Sequence, residues 1–211
     1  MSQRHLSILL GLAASVLLVS AHADDLDAAT RAAARKVAIG TCENCHGPEG
    51  HSILPKYPVL AGQHANYLAA QMHAFKAQTR GDPDALGYMW GMAATLDDDL
   101  ITGLADYYSR QKPEAGKLVG GPALAHGKDL YLNGDPANGI PACATCHGPG
   151  AEGSDAFPRL AGQHSQYLIK QLKSFQSNLR NVAVMHGVAQ GMKSEEMEAV
   201  ALYLQSLGPK A

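Results

Sequence analysis

The sequence carries no surplus of positive charge: 17 Lys and Arg stand against 19 Asp and Glu in 211 residues, a formal net charge of −2. Nucleic-acid binding draws on Lys and Arg to neutralise phosphates and on aromatic rings for stacking. With three Phe and one Trp as well, the chain is short of both, and nucleic acid is excluded as an expected partner. It also lacks a long hydrophobic run. The apolar stretch Leu6 to Val19 spans 14 residues, where a membrane-crossing helix needs about 20. Arg4 and His5 precede that stretch, and Ala21-His22-Ala23 then Asp24-Asp25 follow it. This is the order of a secretory signal peptide, so residues 1–23 are expected to be cleaved off and the rest exported to the periplasm. Strand-like alternation is almost absent.

Cysteine is scarce, with four residues in all. An exported chain with four cysteines would ordinarily hold two disulfides. The spacing argues otherwise, because the four fall in two pairs, Cys42-Glu43-Asn44-Cys45-His46 and Cys143-Ala144-Thr145-Cys146-His147, with none left over. Each pair is a CxxCH, the pattern of covalent c-type haem attachment, in which two thiols join the two vinyl groups and the following His lies under the iron. One such match is expected by chance about 0.004 times in a chain of this composition. A four-cysteine zinc site or a thioredoxin-type pair would not need the trailing His twice. His46 and His147 are therefore the expected proximal ligands.

The chain is one unit written twice. A shift of 100 residues aligns Leu60-Ala61-Gly62-Gln63-His64 with Leu160-Ala161-Gly162-Gln163-His164, and Tyr67, Gln71, Phe75 and Arg80 with Tyr167, Gln171, Phe175 and Arg180. Pro113, Gly116, Gly120, Gly121 and Pro122 interrupt any periodic pattern between the copies. The expected division is domain 1 at 24–112, a linker at 113–120 and domain 2 at 121–211. A domain of about 90 residues has a marginal apolar core, which a buried haem would complete. Apolar residues recur at helical spacing in both copies, so the fold class is all-α, with two tandem domains each built around a haem. An Ala-rich helix from Thr30 to Ile39 is expected to stop at Gly40. A last helix should begin at Asp97, with Leu96 and Ile101 as a hydrophobic staple, and its partner near Ser194.

The sixth ligand decides what the iron can do, since a Met thioether raises the potential whereas an open position admits a substrate. In the aligned segments 89–93 and 185–189 only Met89 and Met185 are Met in both copies. They are the expected distal ligands, with Met92 and Met192 as the alternatives. Met92 faces Val188 and Met192 faces Leu96, as exchangeable core positions do. Met72 and Met197 lie on apolar helix faces and read as packing. His64 and His164 are shared too, which keeps bis-His ligation open, although their place at a helix start suggests a cap or a solvent-facing ring. Lys170 and Lys173 read as a solvated helix face rather than a docking face.

Each CxxCH is followed by an aromatic-Pro-x-Leu-x-Gly-Gln segment, Tyr57 to Gln63 and Phe157 to Gln163, and then by Tyr-Leu-x-x-Gln. Over the whole mature chain this resembles the dihaem cytochrome c4 family. The resemblance implies two class I cytochrome c folds face to face, two covalent haem c groups and His/Met ligation at both irons. It also implies that the carbonyls of Pro58 and Pro158 accept the Nδ1 hydrogens of His46 and His147. Residues 133–141, which lead into the second motif, have no counterpart of equal length in the first copy.

An electron carrier follows, one that shuttles between a quinol-oxidising complex and a haem-copper terminal oxidase or another acceptor. No small-molecule substrate is expected, and the reading leaves room for peripheral membrane association. A dihaem peroxidase or thiosulfate dehydrogenase is the enzymatic alternative, and the cytochrome subunit of a flavocytochrome sulfide dehydrogenase is a third. Residues 24–112 hold 11 acidic against 8 Lys and Arg, and residues 113–211 hold 8 against 8. The first haem is therefore expected to have the lower potential.

Overall fold

Asp27 opens the first helix, its carboxylate accepting from the Thr30 N–H at 2.7 Å. The structure, a computed structural model, describes residues 26–117, 120–155 and 157–209, and the expected signal peptide lies outside them. The described residues form α-helices and no β-strand. In the first half these are α1 (Ala28–Val37), α2 (Glu43–His46), α3 (Ala65–Lys76), α4 (Trp90–Ala93) and α5 (Asp98–Ser109). In the second they are α6 (Pro122–Asn133), α7 (Ala144–His147), α8 (Ser165–Gln176), α9 (Ala183–Gln190) and α10 (Ser194–Ser206). The helix α1 does not end at Gly40. A π-helical turn over Ala38–Cys42 carries the chain directly into α2, because Gly40 in a helix interior costs only about 1 kcal/mol, too little to break a helix packed on α5.

The terminal helix of the first half begins as expected. Asp97 accepts from the Leu100 N–H at 2.8 Å, and Leu96 and Ile101 are buried in one cluster. In each half the first helix crosses the last, α1 on α5 and α6 on α10, and the third packs beside the last. Ala34, Leu68, Ile101, Leu104 and Tyr108 form one core, and Leu130, Tyr131, Leu168, Met197 and Leu204 form the other. Glycine lets the crossing helices approach. A Cβ on Gly103 would sit 2.7 Å from the Cβ of Ala34, and one on Gly127 would sit 2.0 Å from the Ala199 carbonyl oxygen.

The residues shared by the two copies hold the halves together. The amide of Gln163 accepts from Val59 N–H at 2.9 Å and donates to Val59 O at 3.0 Å. Gln63 does the same to Arg159, at 2.8 and 2.9 Å. Arg80 donates to Gln71, Gln171 and Tyr167, and Arg180 to Gln171, Gln71 and Tyr67. Each guanidinium also lies over the Phe of its own half, at 4.7 Å from Phe75 and 4.6 Å from Phe175.

Candidate haem sites

The two CxxCH motifs occupy equivalent places, each ending on a one-turn helix whose last residue is the histidine. Cys42 and Cys45, like Cys143 and Cys146, stand three residues apart, neighbours on one helix face. All four thiols are free, so the halves hold no disulfide among them. Among the described residues no three His, Cys, Asp or Glu side chains converge to hold a metal ion, which leaves the zinc alternative without support. The chain turns back immediately after each histidine through Gly47 and Gly148, at φ 72° and 80°. That reversal lays the aromatic-Pro segment against the imidazole.

The Nδ1 of His46 donates to the Pro58 carbonyl at 2.9 Å, and the Nδ1 of His147 donates to the Pro158 carbonyl at 3.1 Å. Both contacts implied by the family resemblance are present, with the one-residue difference in spacing absorbed by the loop. Each ring also meets the preceding aromatic edge-on, Tyr57 at 6.1 Å and Phe157 at 6.4 Å. Both histidines are 8% exposed. Burial lowers their pKa and outweighs the opposing hydrogen bond to proline, so both rings are held neutral. Burial pushes the Cys42 thiol up and the Cys143 thiol to about 11.

These donor sets fit a haem c. A neutral imidazole whose Nδ1 is already spent presents Nε2 to iron in a fixed orientation. Two free thiols on one face suit thioether attachment. Beside Pro158, the buried Nε and Nη2 of Arg159 have no hydrogen-bond partner among the described residues, and a haem brings carboxylates that such a cation can pair with.

Met89 is half-buried and packs beside Phe75, Ala85 and Ala93, at the junction of a π-helical turn (Ala85–Met89) and α4. Met185 is half-buried within α9. Their alternatives separate. Met192 is 4% exposed and locked in the core of the second half, as is Met197, while Met92 is 53% exposed. Met92 is therefore not the core position that its alignment with Val188 suggests: in α4 it is Ala93, its neighbour, that is buried.

The reading of His64 and His164 as caps or solvent-facing rings is overturned. Both occupy helix N-cap positions without a side-chain capping bond. Instead each reaches the other half: His64 Nε2 lies 2.9 Å from the Glu152 carbonyl, and His164 Nε2 lies 2.7 Å from that of Ser52. These ring nitrogens are engaged by carbonyls, which removes the ground for bis-His ligation. Lys170 is not a free surface cation either, since it pairs with Asp84 of the first half. In the sequence Gln63, Tyr67, Gln71, Arg80 and their counterparts stand only as marks of duplication. Their repetition as polar residues was the available sign that they face one another.

The cytochrome c family profile matches residues 124–208. Cytochrome c4 of Azotobacter vinelandii is 39% identical over 192 residues, covering 85% of this chain and 90% of that protein. The thiosulfate dehydrogenase electron acceptor of Thiomonas intermedia is 40% identical over 179 residues, 80% of each chain. The crystal structure of reduced recombinant cytochrome c4 from Pseudomonas stutzeri superposes with a TM-score of 0.74 at 35% identity, covering 84% of this chain and 98% of that one.

Proposed function

This chain belongs to the cytochrome c4 family, and from that premise we propose that it is a periplasmic dihaem carrier of single electrons between respiratory proteins. The family carries covalent haem c, and its iron supplies the chemistry, a reversible one-electron change between ferric and ferrous states. In our assignment Cys42 and Cys45 hold one haem and Cys143 and Cys146 the other, within domains at 24–112 and 121–211 joined by a linker at 113–120. His46 and His147 are the proximal ligands, and Met89 and Met185 the distal ones. The observation that carries the reading is that both halves set the histidine in the same way, buried, neutral and oriented by a proline carbonyl. A dihaem catalyst needs an iron position open to substrate, or a ligand other than Met at one haem. Two alike sites suit a carrier.

The proposed circuit runs from a quinol-oxidising complex to a haem-copper oxidase or another acceptor. A second donor is favoured by the relative named as a thiosulfate dehydrogenase electron acceptor, which supports a dehydrogenase that oxidises thiosulfate as the source of electrons. Stopped-flow reduction of the haem-loaded protein by each donor separates the two circuits.

An optical redox titration of the haem-loaded protein, with the ferric spin state recorded first, tests the carrier reading. Two low-spin haems, both titrating at the high potentials of His/Met ligation, are expected, with the haem of the more acidic first half the lower. A high-spin haem in the resting protein overturns the reading. Met89→Ala and Met185→Ala should each lower the potential of one haem and open its iron to carbon monoxide. A spectrum unchanged from wild type refutes that ligand.

A further inference from the structure

The relation between the two halves breaks at the interface arginines, and the break leaves one buried guanidinium without a carboxylate bonded to it. Arg80 and Arg180 are 7% and 6% exposed and share the acceptors Gln71 and Gln171. Arg80 also donates Nε to the Asp82 carboxylate at 2.7 Å, and the Gln171 amide donates to the same group at 3.4 Å. The residue that stands to Arg180 as Asp82 stands to Arg80 is Val182, whose side chain is apolar. Among the described residues Asp82 is the only carboxylate hydrogen-bonded to either guanidinium. Two buried cations thus share one anion, an arrangement that is costly unless something else supplies the second negative charge. Burial drives the Tyr67 hydroxyl up, yet Arg180 and Arg80 together outweigh burial and hold it below its ordinary value.

Space exists where the second carboxylate is missing. A cavity of about 170 Å³ is lined by Gln71, Thr79, Arg80, Arg180, Asn181 and Val182, among others. That is room for several water molecules at ~30 Å³ each. Thr79, Asn181 and Val182 are exposed, so the cavity opens to solvent. Arg180 and Gln71 are the counterparts of the two residues bonded to the Asp82 carboxylate, and Val182 is the counterpart of Asp82 itself.

We propose that this cavity binds one oxyanion, which does for Arg180 and Gln71 what the Asp82 carboxylate does for Arg80 and Gln171. A tetrahedral oxyanion from solution and a carboxylate carried on a bound haem share that chemistry, and the experiment tells them apart. The haem-loaded protein is melted in sodium sulfate and in sodium chloride at matched ionic strength, beside Arg180→Gln and Val182→Asp. For an oxyanion from solution, the wild type shows a saturable rise in Tm with sulfate over chloride, following mass action. Both variants lose that rise, and Val182→Asp melts above the wild type in chloride because it supplies the missing carboxylate.

For a haem-borne carboxylate, sulfate adds no saturable rise and Val182→Asp melts below the wild type, since two anions then compete for one cation. Arg180→Gln then moves the ionisation seen in the pH dependence of the haem potential to higher pH. The proposal is overturned if sulfate acts without saturation and equally on all three proteins while Arg180→Gln leaves that pH profile unmoved. Val182 is exposed, so its variant tests the site without disturbing the core.

Discussion

In the first half the chain reaches Cys42 along an unbroken helical path, from α1 through a π-helical turn. In the second it leaves α6 at Gly134, turns on the Asp135 carboxylate, which accepts from Ala137 and Asn138, and returns at Ile140. Ile140 is fully buried in the second core, and Ala38 is fully buried in the first. The entry to the motif is therefore free to vary as long as one apolar side chain closes the core behind it. What does not vary is the histidine–proline bond and the crossing of first and last helices. Even the crossing is reached in two ways, with the glycine on the last helix in one half (Gly103) and on the first in the other (Gly127). At the junction the halves differ in charge, Asp82 against Val182.

That last difference gives the largest expected effect. Asp82→Asn removes the carboxylate bonded to the buried Arg80 and should cost about 3–5 kcal/mol, the usual result of breaking a buried pair. Val182→Asn, an exposed counterpart, should stay within about 0.5 kcal/mol. Denaturant midpoints at neutral pH compare them. Burial raises the Asp82 carboxyl, but Arg80 outweighs it and holds it below its ordinary value. Its contribution is therefore complete above the unfolded pKa of about 3.9 and is lost as pH falls through the lower folded value. Acid titration should show that loss in the wild type and not in Asp82→Asn.

The helix crossings come next. Gly127→Ala forces a Cβ onto a main-chain oxygen at 2.0 Å, whereas Gly103→Ala meets a methyl group at 2.7 Å. Overpacking costs about 1–3 kcal/mol, with Gly127→Ala at or beyond the upper end and Gly103→Ala near the lower. Equal losses of Tm would remove the distinction. The interface histidines differ by burial, with His164 2% exposed and His64 half-buried. His164→Leu should cost about 1–3 kcal/mol and His64→Leu about 0.5–1.5 kcal/mol.

Burial lowers the His164 pKa, only partly offset by its bond to Ser52. The fold prefers its neutral form. This contribution is present above the unfolded pKa of about 6.5 and declines as pH falls from there through the lower folded value. His164→Leu should flatten that part of the stability profile. The smallest effect belongs to Lys170, whose counterpart is Ala70. Its pair with Asp84 has side chains 40% and 28% exposed, so Lys170→Ala should cost under about 1 kcal/mol, measured at low salt where screening is least.

Much of each half was legible because its signals are local. Asp97 caps α5 from three residues away, and the staple of Leu96 with Ile101 spans one turn and a residue. The CxxCH spacing and the proline that follows it lie within 12 residues of one another. Two local readings failed where packing overrode propensity: Gly40 does not end its helical path, and Met92 does not enter the core. The partners of Gln63, Gln163, His64, His164, Arg80 and Arg180 across the interface were not legible, beyond the sign that these polar residues repeat. Their partners lie about a hundred residues away, and no periodicity in the chain records a pairing between halves.

The sequence by itself determined a unit written twice, an all-α class, two haem-attachment motifs and the ligand histidines expected from them: the first rests on matching the chain to itself, the others on spacing within one helix or one turn. Tertiary structure decided which face of each half meets the other, that shared polar residues make that face, and that two buried arginines meet there with Asp82 bonded to Arg80 alone. A side chain's partner across an interface depends on which surfaces are buried together, and burial is a property of the packed chain.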